Sequence, residues 1–108
     1  MFKLFSFAAT DALAKELVKE IATRYPVKVA NDPARSISPQ RLGAILENVV
    51  LKAQQFVAEE KLGMMKKARL GTTFKWEMKE LGYNDKFIEA VTRILVLQIS
   101  TGPSAVKK

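Results

Sequence analysis

The sequence predicts an all-α fold: a compact, four-helix bundle-like single domain over residues 1–101, with a disordered C-terminal tail over 102–108. Three observations carry this. Apolar residues recur at helical spacing through four segments. Pro, Gly and Asn punctuate the chain between them. The 108 residues are 48% hydrophobic and 27% charged, the balance of a globular chain large enough to bury a core.

The first segment opens at Thr10 or Asp11, either of which can cap a helix. Leu13, Ala14, Leu17, Val18, Ile21 and Tyr25 share one side of a 3.6-residue wheel, while Lys15, Glu16, Lys19 and Glu20 share the other. Pro26 ends it. The stretch from Pro26 to Ile37 contains two prolines and reads as a linker, with a short extended piece at Val27 and Val29 as an alternative.

Ser38 and Pro39 give the second segment the clearest start in the chain, and Gly63 suits its end. Leu42, Ile45, Leu46, Val49, Val50, Ala53, Phe56 and Val57 fall in an arc of roughly 140°. This long helix is expected to be the spine of the fold. On its back, Ala44, Leu51 and Ala58 form a narrow heptad-spaced line that another helix could approach.

The third segment runs from Met64 to Leu81, with Gly82 as its stop. Leu70, Phe74, Met78 and Leu81 make the stripe expected to face the core. Gly71-Thr72-Thr73 could break it, and one continuous helix from Pro39 through Gly63 is the opposite alternative. The fourth segment starts near Asn84 or Asp85 and ends by Ser100. Phe87, Ile88, Val91, Ile94, Leu95 and Ile99 line one side, but Ala90, Val96 and Leu97 lie elsewhere. A helix apolar nearly all round is expected to be the most deeply buried, or shared with a partner chain.

Composition excludes much chemistry. With no histidine there is no imidazole base and no Ser-His-Asp relay. Lacking cysteine as well, the chain has no thiolate nucleophile, no disulfide and no zinc site of the usual kind. The paired carboxylates Glu59/Glu60, Glu16/Glu20 and Glu77/Glu80 are too few for a cation site, and Gly63-Met64-Met65-Lys66-Lys67 lacks the second glycine of a phosphate loop. The expectation is a protein that is not an enzyme and carries no cofactor and no metal. The longest aliphatic run, Ile94 to Leu97, is far too short to span a bilayer. The apolar N-terminus, with Phe2, Leu4, Phe5 and Phe7, is interrupted by Lys3 and Ser6, so it reads as retained and core-capping. Those features and the missing cysteines place the expected location in the cytoplasm.

Eighteen cations against eleven acids leave a net charge of +7. The basic cluster Lys61, Lys66, Lys67, Arg69, Lys75 and Lys79, opposed only by Glu77, holds +5 of it. It surrounds the one tryptophan, which the wheel places opposite the Leu70-Phe74-Met78 stripe with Arg69, Thr72 and Lys79 around it. An exposed Trp beside Arg is a common anchor of protein interfaces. The leading expectation is therefore a non-catalytic protein that self-associates or acts as an adaptor, through Trp76, Arg69, Thr72, Lys79, Val96 and Leu97. The alternative is a helical nucleic-acid-binding protein, in which the six cations meet phosphates and a base stacks on Trp76.

Glu60 lies in phase with the apolar arc of the second helix and is expected to reach water or Lys66 at its last turn. Gln98 lies within the arc of the fourth. Its amide either fixes register across a helix pair or bonds to a backbone group.

Overall fold

The computed structural model describes residues 7–34 and 37–106, which form five α-helices and no strand. These are α1 (Ala8–Arg24), the single turn α2 (Val27–Ala30), α3 (Pro39–Glu60), α4 (Met64–Leu81) and α5 (Asp85–Val106). The four long helices close a ring of contacts: α1 packs on α4, α4 on α5, α5 on α3, and α3 back on α1. The all-α, four-helix arrangement is thus the one the periodicity implies.

A ring gives each long helix two neighbours and one inward face. The core lies between those faces, with Leu17, Ile21, Leu46, Val49, Leu70, Phe74, Met78, Val91, Leu95 and Ile99 fully buried. No helix is a spine, and this corrects the role expected of α3. α5 is not buried all round either. Val91, Leu95 and Ile99 face the core, while Ala90, Val96 and Leu97 are exposed. In α4 the stripe Leu70-Phe74-Met78 is buried as expected, but Leu81, beside the helix end, is half exposed.

The boundaries follow local chemistry. Ser38 caps α3, its Oγ accepting from the Arg41 N–H at 3.1 Å, with Pro39 at the first helical position. α3 stops at Lys61, which takes a left-handed conformation (φ 50°). Gly63, expected as the stop, instead precedes the first residue of α4. α4 is continuous through Gly71 and ends at Gly82, whose φ of 102° suits glycine. Asn84 starts α5, its Oδ1 accepting from the Phe87 N–H. α5 runs past Ser100 and through Gly102 and Pro103, so the segment expected as a tail from 102 is helical to Val106. Proline's fixed φ is compatible with a helix, at the loss of one backbone N–H.

The linker forms α2 rather than an extended piece. Of the N-terminal residues expected to cap the core, Phe2, Leu4 and Phe5 lie outside the described residues. Asn31, just after α2, clips the α4–α5 turn: its Nδ2 donates to the Gly82 carbonyl and its Oδ1 accepts from the Asn84 N–H, both at 2.8 Å. Beside it, Phe87 stacks between Tyr25 and Tyr83, and the Tyr83 hydroxyl donates to the Tyr25 carbonyl at 2.7 Å.

Candidate interaction surface on α4

α4 presents its inner stripe to the core and a broad outer arc to solvent. Trp76 is 61% exposed on that arc. At about 100° per residue, Met65, Arg69, Thr72 and Trp76 (i, i+4, i+7, i+11) form one line along the helix. Met65 is 72% exposed, and Arg69 and Thr72 are also open to solvent. The line borders α1, and Arg69 is held there. Its Nε donates to Asp11 Oδ1 at 3.0 Å and its Nη2 to Asp11 Oδ2 at 2.9 Å, a bidentate pair. The guanidinium also lies 4.8 Å from the Phe7 ring centroid. Thr73 adds a third bond, its hydroxyl donating to Asp11 Oδ1 at 2.9 Å. The Arg69 hydrogen bond holds the Asp11 carboxyl below the usual carboxylate range, and Thr73 lowers it further.

Asp11 therefore does not cap α1, which begins a turn earlier at Ala8. Arg69 draws its carboxylate across to the neighbouring helix. Neither the linear spacing nor the wheel of either helix could have paired the two, because they lie 58 residues apart.

The candidate residues do not form one site. Arg69, Thr72 and Trp76 come together with Met65. Val96 faces α4 at Gly71, on the opposite side of α4 from Asp11. Leu97 is 56% exposed, about 100° around α5 from Val96. Lys79 reaches Asp85 across the α4–α5 turn at 3.4 Å.

The six cations are similarly dispersed. Arg69 faces α1, and Lys67 lines the seam with α5. About 160° of the wheel separates them. Lys66 and Lys79 lie about 140° apart. Lys61, at the α3 end, and Lys75 are exposed.

Among the described residues, two concavities lie along the α4–α5 seam. Near the start of α4, Met64, Lys67, Ala68, Val96, Ile99 and Ser100 line a groove of about 260 Å³. Near the turn, Lys75, Lys79, Asp85, Ile88 and Glu89 line one of about 270 Å³. A wider hollow of about 510 Å³ lies beside α2, with Asn31, Asp32 and Asn84 among its polar residues. Asn31 and Asn84 are engaged as described above, and Asp32 Oδ1 accepts from the Ala34 N–H.

Elsewhere, Lys52 of α3 joins α1, donating to Glu20 at 3.1 Å and Glu16 at 3.4 Å. Both carboxylates, solvent-facing on the wheel, thus have a partner. Gln98 meets Gln54 of α3 across the helix pair: the Gln54 Nε2 donates to the Gln98 carbonyl at 3.2 Å and to its Oε1 at 3.4 Å. Glu60 is exposed. Ala44, Leu51 and Ala58 are exposed, with no described helix over them. Among the described residues, no cluster of three metal-ligating side chains occurs and no helix is long and apolar enough to cross a membrane. Comparison with family models, curated proteins and solved structures finds no match to this chain.

Proposed function

We propose that this chain is a non-catalytic interaction protein whose contact surface is the outer face of α4, anchored by Trp76. The observation that carries the reading is the 61% exposure of that indole on a helix whose inner stripe is fully buried. Tryptophan loses little conformational entropy for the area it buries, which makes it the commonest interface anchor alongside Tyr and Arg. Met65 extends the apolar line, and Arg69 is already fixed by Asp11, so a partner meets a preorganised surface. The partner is another protein or a second copy of the chain.

The test uses the tagged chain as bait, offered both a lysate and a differently tagged copy of itself. Wild type, Trp76→Ala and Leu51→Ala, an exposed control on α3, are compared. The expected result is a species retained by wild type and by Leu51→Ala, and reduced roughly tenfold or more by Trp76→Ala. Equal retention by all three sinks the proposal.

The nucleic-acid reading has less support, because Arg69 and Lys79 already face carboxylates and the remaining lysines point several ways. It expects quenching of Trp76 by mixed-sequence DNA or RNA, with affinity falling steeply as salt rises.

A further inference from the structure

We infer that the Met64 end of the α4–α5 seam takes an acidic amphipathic helix supplied by a partner protein. This rests on the reading of the chain as an interaction protein, but it concerns a different side of α4 from Trp76. Shape comes first. α5 comes close to α4 at Gly71, where a Cβ on residue 71 would stand 3.0 Å from Val96 Cγ2. Beyond that close approach the seam opens into the 260 Å³ groove, which has room for one or two large apolar side chains. This is smaller than the roughly 300–1,000 Å³ of small-molecule pockets. Anchors at i, i+3, i+4 and i+7 of an amphipathic helix suit such a narrow interhelical seam.

The lining comes second. Met64 is 83% exposed and Val96 38%, so the groove offers apolar surface to solvent. Methionine adapts its unbranched thioether to varied anchors, which suits a helix-binding surface.

Charge then selects the occupant. Among the described residues lining this groove, Lys67 is the one that carries a charge, and Lys75 follows along the seam. The seam's acids, Asp85 and Glu89, stand at its far end by the turn, where Lys79 already pairs with Asp85. Lys67 at the groove and the chain's net charge of +7 together attract an acidic partner to this end of the seam. A nucleic acid would need several cations converging here, and among the described lining residues Lys67 is the one cation.

The test measures fluorescence anisotropy of two labelled synthetic peptides of about five helical turns. They share one leucine face, and the polar face carries glutamate in one and lysine in the other. The glutamate peptide should bind at least about tenfold tighter. Met64→Ser and Val96→Ser should each weaken it about fivefold, and Lys67→Glu about tenfold, while Trp76→Ala leaves it unchanged. Unchanged thermal melts for these exposed or part-exposed positions show that the fold is retained. Equal binding of the two peptides, binding by neither, or indifference to the three groove variants overturns the inference. An oligothymidylate bound through Lys67 when neither peptide binds overturns it in favour of nucleic acid. Failure here with Trp76-dependent retention intact removes the groove alone. Success here with Trp76-independent retention removes the Trp76 anchor alone.

Discussion

Val96 Cγ2 lies 3.0 Å from where a Cβ on residue 71 would stand, so α4 and α5 meet closely because residue 71 is glycine. A glycine inside an exposed helix costs about 1 kcal/mol relative to alanine. Here it is buried and gives the neighbouring helix its approach.

Gly71→Ala should change stability by less than about 1 kcal/mol, since the helix gain offsets a small displacement of the part-exposed Val96. Gly71→Leu has no such escape. It should cost about 1–3 kcal/mol by overpacking the seam. Denaturant midpoints of the two variants check this, and a Leu variant as stable as wild type would show that the seam is loose.

Asp11→Asn should lower the melting temperature by a few degrees at neutral pH, the size expected of a part-exposed ion pair. The folded carboxyl ionises below its unfolded value, so its contribution is complete above a pH of about 4 and is lost as pH falls further. Wild type and variant should therefore converge in acid. Melts at several pH values between 2 and 7 measure this, and a gap that persists in acid would mean that the pair is not the cause.

Tyr83 behaves in the opposite sense. Burial raises its phenol to about 12, against about 10 in an unfolded chain. The buried neutral hydroxyl supports the fold fully below pH 10, and that support is lost as pH rises towards 12. Tyr83→Phe should cost about 1–3 kcal/mol by leaving the Tyr25 carbonyl unpaired. It should also flatten the pH dependence above 10, as read by alkaline denaturation followed by circular dichroism.

Asn31→Ala should cost about 1 kcal/mol, since both bonds it makes are solvent-accessible. The loss should be local. Hydrogen exchange at Asn84 should accelerate, because that N–H loses its acceptor, while amides within α3 stay protected.

How much of this was legible in sequence depends on range. Ser38-Pro39, Gly82 and Asn84 mark helix ends by short-range chemistry, and the α4 limits, Met64 to Leu81, follow from it. The core faces of α1 and α3 were legible because period 3.6 is local too. The all-round apolarity of α5 misled, because its neighbours cover only one side of it. The Asp11–Arg69, Asn31–Gly82 and Gln54–Gln98 bonds depend on which helices become neighbours, and periodicity carries no such information. For the candidate surface, the place of Trp76 opposite Leu70, Phe74 and Met78 was legible, but its exposure was not, since a neighbouring helix could equally have covered it. The seam groove was not legible either, since it depends on Val96 meeting Gly71.

Trp76→Ala should change stability by no more than about 0.5 kcal/mol, because the indole is exposed and contributes little to the core. Position 76 can therefore carry a reporter without disturbing the fold. The most direct test of the account is photo-cross-linking in cells from Trp76→benzoylphenylalanine, with Glu47→benzoylphenylalanine on α3 as control. A discrete adduct from position 76, absent from position 47, is the result expected if the outer face of α4 meets a protein. No adduct, or the same adducts from both positions, would contradict it.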